Sequence, residues 1–526
     1  MKNLKHIGAL AIGGLCLLGP IGCTDLEEEL VGGLPAGQFG QTESEFGAVV
    51  AGGYIDLFGL LGNHNGVWTA NEVATDEVLV PTRGADWFDG GIFIRLHTHT
   101  FEPGDAPFAN SWNKLFGGVA TANRLLEQLP LLNAELAPPF EAELRGLRAL
   151  YYYYLIDMFG NVPLITSFSG GEENPSTLSR AELYDWLTGE LEEIIPTLPE
   201  EKRYARITRD VARTLLAKVY LNSEVYAGRN EVAQALPHLN AVIDGGRYRL
   251  ESDYFANFSF DNEGSAENIL VIPYDDVFVV PNNNFNLAHM TLHYASRESF
   301  NATAEPWNGY ATLQEFYDSY DDTDSRKGEF GSREPGNFLA GPQTTADGEP
   351  LIDASAESTD PDGNQIVFTP ELNELGPNAL RQAGARIYKW TYANGFTPEL
   401  SNDWAIFRYA DVLLMKAEAL MRTTSEDNAE ALELVNLIRD RAYDDTDEDG
   451  NEVDSDLDQL TFETLLAERG REMFAECYRR SDLIRFGEFQ RTWFGKDQES
   501  GEQYELFPIP TAQLDVNPNL RQNPGF

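Results

Sequence analysis

Phe407-Arg-Tyr-Ala-Asp-Val-Leu-Leu-Met-Lys-Ala-Glu-Ala-Leu420 is the stretch on which the fold turns. From Arg408 to Met421 it reads as an amphipathic helix, with charged residues set between apolar ones. Two further helical stretches follow, Ala429 to Arg441 and Phe462 to Ile484. Across the three, Arg408, Asp411, Glu418, Arg469, Arg471, Glu472, Asp482 and Arg485 are interleaved with apolar faces. Arginine and carboxylate side chains so placed can bridge packed helices bidentately, which makes a structural role the expectation for all eight. No spacing among them defines an acid–base pair of the kind a glycosidase needs, two carboxyls about 5–10 Å apart across a cleft.

The same grammar runs through the front of the chain. In Leu144 to Phe159, the residues Leu147, Tyr151, Leu155 and Phe159 recur on one helix face. Ser179 and Glu182 form a capping box for the next helix, whose apolar positions are Tyr184, Leu187, Leu191, Ile194 and Ile195 and which Pro196 and Pro199 end. Thr208 caps a third, with Val211, Leu215 and Val219 aligned, and Val232 to Ile243 follows, closed by Gly245-Gly246. Paired helices of this size suggest helix–turn–helix repeats. Residues 251–400 differ, being rich in Asn, Gly, Pro, Asp and aromatics, with a short strand expected over Ile269 to Tyr274 and mostly loop from Gly328 to Gly376.

The formal net charge of −47 over 526 residues repels polyphosphate and excludes nucleic acid as a natural partner. It also disfavours polyanionic glycans. A simpler source of the acidity is adaptation to a salty medium, which screens self-repulsion. Three cysteines, Cys16, Cys23 and Cys477, allow no disulfide framework in the folded body and no cysteine metal site.

Lys2, Lys5 and His6 precede an apolar run from Ile7 to Ile21, too short for a transmembrane helix of about 20 residues and suited to a signal peptide. The run ends Pro20-Ile21-Gly22-Cys23, which resembles the bacterial lipoprotein cleavage motif, although Pro20 stands where that motif prefers Leu. The acidic tract Thr24 to Glu29 resembles the surface-export signal of Bacteroidetes lipoproteins. Residues 1–22 are thus expected to be a signal peptide. Residues 23–40 would form an acidic tether lipidated at Cys23, with 41–250 and 251–526 the two parts of one continuous fold.

Motifs spread over nearly the whole chain resemble the SusD/RagB family. They include Trp112, Ala120, Asn123 and Leu126, Arg145 through Tyr154, Phe159-Gly-Asn-Val-Pro-Leu164 and Gly246-Arg-Tyr-Arg-Leu250. Later come the stretch quoted first, Glu468-Arg-Gly-Arg-Glu-Met-Phe-Ala-Glu476, Arg480 through Gly487, and the closing Phe507-Pro-Ile-Pro510 and Gln522-Asn-Pro-Gly-Phe526. The resemblance implies a mainly α fold with tetratricopeptide-like repeats plus an irregular, loop-rich ligand-binding region. It implies no enzyme. It implies an outer-membrane lipoprotein that captures oligosaccharides and hands them to a SusC-like TonB-dependent transporter. A peptide-capturing, RagB-like role is the alternative, and a glycoside hydrolase the reading after that.

Neutral sugars present apolar CH faces that aromatic platforms grip, so loop aromatics are the first ligand candidates. Trp87 sits in Arg83-Gly-Ala-Asp-Trp-Phe-Asp-Gly-Gly91, and Trp307 and Tyr310 in Glu305-Pro-Trp-Asn-Gly-Tyr310, just before Leu313 to Arg326, which resembles a family helix. Simple packing of these loops onto the body is the competing reading. Asp445 to Asp456 resembles a calcium loop, with Asp445, Asp447 and Asp449 at positions one, three and five, Gly450 at the turn, Asn451 at seven and Asp456 where a Glu is usual. A solvated acidic loop is the alternative. His97-Thr-His99 alternates as a strand would, which would put both imidazoles on one face as a metal pair. No serine-elbow or His-Glu-x-x-His motif occurs.

Overall fold

Helices dominate the computed structural model, which describes residues 40–275, 277, 285–354, 363–443 and 455–526. The front half comprises α1 (Glu43–Ala51), α2 (Val67–Val73), α3 (Ile92–His97), α4 (Ala106–Leu132), α5 (Ala137–Met158), α6 (Arg180–Ile194), α7 (Arg209–Leu221), α8 (Ser223–Ala227) and α9 (Ala235–Asp244). Short helices α10 (Leu287–Thr291), α11 (Arg297–Phe300) and α12 (Gln314–Tyr317) punctuate the irregular middle. The carboxy-terminal part adds α13 (Tyr409–Thr423), α14 (Ala429–Ala442), α15 (Phe462–Met473), α16 (Arg479–Phe486) and α17 (Thr511–Val516). The fold is mainly α, and the helices pack as sequential pairs, α4 on α5, α5 on α6 and α13 on α14.

Local chemistry explains the starts and contacts of these helices. Ser179 and Glu182 exchange hydrogen bonds with each other's backbone at 3.3 and 2.9 Å, satisfying two amides that the start of α6 would otherwise orphan. Thr208 accepts from Val211 N–H at 3.4 Å to open α7. α4 and α5 approach closely because Gly118 has no side chain, and a Cβ there would lie 2.3 Å from Tyr151 Cζ. The buried apolar residues from Phe46 to Ile509 join in one connected core, and a smaller cluster lies between α13, α14 and α15.

Strands are few and short. β1 (Val78–Leu79) pairs with β3 (Ala311–Thr312), β2 (Asn268–Ile272) with β8 (Trp404–Arg408), β4 (Phe338–Leu339) with β7 (Arg386–Ile387), and β5 (Gly341–Pro342) with β6 (Val367–Phe368), all antiparallel. In the longest pair Asn268 faces Arg408 and Ile272 faces Trp404, so the strand expected near Ile269 is present and its partner leads directly into α13.

The eight charges singled out above lie in a buried ion-pair lattice. Arg408 contacts Glu472 at 3.0 Å and Glu476 at 2.6 Å and also reaches Glu267. Arg326 bridges Asp324, Glu468 and Glu472 at 2.7 to 3.1 Å. Arg469 spans Asp411 and Asp482, Arg485 spans Glu418 and Asp482, and Arg471 holds Glu468. Each charge is compensated inside a low-dielectric interior, the condition under which burial of an ion is tolerated.

Three local expectations are corrected. Phe462 to Ile484 is not one helix: α15 ends at Met473 and α16 begins at Arg479, with Ala475 and Cys477 at φ 59° and 73° between them. Glu77 Oε2 accepts the Ala475 N–H at 3.0 Å, and Glu72 accepts that of Cys477, which hold this left-handed backbone in place. Leu313 to Arg326 is helical only over Gln314–Tyr317, and its far end turns so that Arg326 pairs with its neighbour Asp324. His97-Thr-His99 is not a strand, since His97 ends α3 and His99 follows at φ 51°. The two imidazoles serve separate packing roles, His97 Nε2 bonding Phe494 O at 2.7 Å and His99 bonding Ser500 Oγ and Ala74 O at 2.8 and 3.0 Å. Burial lowers their pKa values to about 4 and about 3, so both are neutral.

A candidate ligand groove walled by two tryptophans

The loop between β1 and α3 and the loop between α11 and β3 are remote in sequence and meet at the surface. Trp87 Nε1 donates to the carbonyl of Trp307 at 2.7 Å, and the two rings lie 6.5 Å apart at 47°. Trp87 takes up φ 60°, a left-handed conformation, and lies over Gly309, where a Cβ would sit 2.3 Å from its indole Cε2. Trp307 is fixed from its own backbone, its N–H donating to His289 O at 2.6 Å. Both rings are half-buried, with one side packed and the other toward a cavity of about 490 Å³.

Tyr310 plays a different part. It is fully buried, meets Trp87 edge-on at 5.4 Å, and its hydroxyl lies 2.7 Å from Thr69 Oγ1. It therefore supports the platform from behind and ties it to α2. Phe93, edge-on to Trp87 at 5.5 Å, completes the backing.

Ile92 and Pro306 add apolar surface to the cavity wall, and the rest of it is polar and acidic. Asp86, Asp89 and Glu305 line it, with His64 and Tyr294, and among the described residues no lysine or arginine does. Tyr294 donates its hydroxyl to Asp86. His64 stands edge-on to Trp307 at 5.3 Å; burial pulls its pKa below the usual imidazole value, against a hydrogen bond with Asn286 and the charge of Asp89. An aromatic pair flanked by carboxylates and a phenol hydroxyl can stack on a sugar face and accept hydroxyl protons, and it repels anions.

Of the residues expected from sequence, the structure thus brings Trp87 and Trp307 together and sets Tyr310 beneath them. Asp86 and Glu305 lie in the same two loops and could have been read with them. His64 and Tyr294 come from other segments, and nothing local marks them. Cys23 and the calcium candidates Asp445, Asp447, Asp449 and Asn451 lie outside the described residues, while Asp456 is exposed. Among the described residues no group of three His, Cys, Asp or Glu side chains could hold a metal ion, and no helix is long and apolar enough to cross a membrane.

Comparison with known proteins agrees with this architecture. The model of the SusD family matches residues 267–526, and that described as "Starch-binding associating with outer membrane" matches residues 73–221. The chain belongs to the SusD/RagB family. It is 25% identical to starch-binding protein SusD of Bacteroides thetaiotaomicron, across 88% of this chain and 86% of that one. A SusD-like protein of Formosa agariphila is 24% identical across 97% of this chain and 98% of its own. Among solved structures, a laminarin-binding SusD-like protein superimposes with a TM-score of 0.70 at 23% identity, covering 92% of this chain and all of that one. Surface glycan-binding protein A of B. thetaiotaomicron, in complex with laminarihexaose, does so with a TM-score of 0.70 at 20% identity, over 91% and 99%. At these identities the structural likenesses establish the fold.

Proposed function

We propose that this chain is a surface lipoprotein that captures a neutral oligosaccharide in the Trp87–Trp307 groove and passes it to a SusC-like TonB-dependent transporter. The observation that carries the reading is the pairing of two half-exposed indoles, locked to one another, over a cavity lined with carboxylates and, among the described residues, by no lysine or arginine. The glycan ligands named for its relatives support the same class. Carboxylates at the cavity wall accept sugar hydroxyls and oppose sulfated or uronic chains.

The lipid on Cys23 would tie the protein to the outer membrane, each buried methylene contributing about 0.8 kcal/mol. Held beside a pore, a binding protein raises the local concentration of its ligand there without new contacts. Catalysis is no part of the proposal.

Affinity electrophoresis of residues 24–526 against neutral and anionic polysaccharides, with protein digests as competitors, tests it. Retardation in one neutral gel that Trp307→Ala abolishes is the expected result. Retention by anionic gels alone, or competition by peptides and not by sugars, overturns the ligand class. For the transporter, co-purification of the pair from detergent extracts is expected, and independent migration refutes the hand-off.

A further inference from the structure

The backbone from Asn63 to Gly66 forms a saddle with a cavity on either side. Beyond it lies a second cavity of about 580 Å³, which shares His64 and Asn65 with the aromatic one. Both volumes fall within the roughly 300–1,000 Å³ of small-ligand sites. Hydrogen bonds hold the saddle on both sides. Asn65, at φ 63°, donates its N–H to Thr69 Oγ1 at 2.9 Å, and that hydroxyl also meets Asn63 O and the Tyr310 hydroxyl. From the other side Asn110 of α4 donates to Asn65 O at 2.8 Å. One wall, pinned to the prop of the tryptophan platform, therefore borders both cavities.

The chemistry of the second cavity differs from the first. Asn63, Asn110, Asn113 and Lys114 line it, with the ring of Phe58, and among the described residues no carboxylate does. Asn110 commits its amide nitrogen to Asn65, and Asn113 commits its oxygen to Gln513 at 3.1 Å. Among the described residues nothing bonds Asn110 Oδ1 or Asn113 Nδ2, which leaves an acceptor and a donor one helical turn apart at the same cavity. Asn65 Oδ1 is shielded from solvent and accepts no hydrogen bond from a described residue. Amide donors and acceptors beside an apolar ring are the partners of vicinal hydroxyls.

Resting on the function proposed above, we infer that the site is bipartite: an extended neutral oligosaccharide stacks on Trp87 and Trp307, crosses the saddle at His64, and places its further units against Asn63, Asn110, Asn113 and Lys114. The aromatic half supplies affinity for any short segment. The amide half reads length, and its hydrogen bonds read hydroxyl configuration. The protein accordingly selects extended chains over the di- and trisaccharides that the aromatic cavity alone accommodates.

Calorimetric titration of residues 24–526 with size ladders cut from laminarin, starch, xylan and mannan tests this. For the ladder that binds, affinity is expected to rise about tenfold or more from trisaccharide to heptasaccharide, as two or more hydrogen bonds are added. Lys114→Ala should shrink that gain and leave trisaccharide binding unchanged. Asn113→Trp, which fills the second cavity from an exposed position, should do the same, and unchanged thermal melting would show that either variant is folded. Equal affinity for tri- and heptasaccharide, or a gain that neither variant reduces, overturns the bipartite site while the aromatic groove stands. Failure of every ladder to bind overturns the bipartite site together with the proposed function.

Discussion

The indole N–H of Trp87 donates to the backbone carbonyl of Trp307 at 2.7 Å across 220 residues of sequence. This bond makes one platform of two loops, and the platform is only as well placed as the bond allows. Trp87→Phe keeps a ring and loses the donor. It is expected to weaken glycan binding about fivefold, the worth of one hydrogen bond near 1 kcal/mol, and Trp307→Ala to abolish it. Affinity electrophoresis distinguishes the two; a Trp87→Phe protein that binds like the parent removes the bond from the account.

Gly309 offers a test that changes no ligand-facing side chain itself. A methyl group there would meet the Trp87 indole at 2.3 Å, and that ring is backed by Phe93 and Tyr310. Gly309→Ala should therefore displace Trp87 toward the cavity, weakening binding tenfold or more by analogy with overpacked cores, which lose about 1–3 kcal/mol. Tryptophan fluorescence should shift to the red in parallel. Unchanged emission and binding would mean that the loop yields freely.

Arg408 is the hub of the buried lattice, fully buried and in contact with Glu267, Glu472 and Glu476. Arg408→Met leaves three carboxylates short of a cation and should cost about 3–5 kcal/mol of stability, read as a lower urea midpoint. The exposed pair Arg203 with Glu201 is the control, and Arg203→Met should leave the urea midpoint nearly unchanged. Equal losses would refute the distinction.

Stability should peak on the mildly acidic side of neutrality. Burial alone would raise Glu472, but the guanidiniums of Arg441, Arg408 and Arg326 outweigh it and hold its pKa at about 2. A folded-state value below the unfolded one contributes stability above about pH 4.5 that is lost as pH falls toward 2. Glu72 has the opposite sign: burial raises it from 4.5 to about 8, opposed by the Cys477 N–H. Burial likewise raises Asp403 to about 7, opposed by the Tyr204 hydroxyl and reinforced by Glu263 and Asp275. The folded state holds these protons more tightly than the unfolded chain, so stability declines as pH rises from about 4.5 to about 8. Glu72→Gln should match the parent at pH 5 and exceed it at pH 8 in urea unfolding. Parallel curves would show that Glu72 does not titrate there.

The helices with a clean apolar period were legible from sequence, among them α5 through its Leu147–Tyr151–Leu155 face and α6 through its Ser179–Glu182 box. The break between α15 and α16 was not, because Glu72 and Glu77, some 400 residues earlier, impose it on an otherwise helical pattern. The loops bearing Trp87 and Trp307 could be picked out by composition. Their union could not, since a hydrogen bond to a backbone carbonyl leaves no trace in residue identity, and neither could the burial of Tyr310 beneath them. His64 and Tyr294 stand in segments that carry no signal of the groove.

The α15–α16 turn has a consequence for how the molecule comes into being. Trp68 of α2 donates its indole N–H to Ala475 O at 2.8 Å, and Asp76, just beyond α2, grips Arg479 at 2.7 Å, each across some 400 residues. Asn523 reaches back to Phe159 O, and Phe507 N–H to Met158 O, each at 2.8 Å. Contacts of such separation form only once most of the chain is in hand. During synthesis Glu72, Asp76 and Glu77 therefore stand without their distant partners until the last helices arrive, whereas pairs such as Arg148 with Glu190 need only the front of the chain.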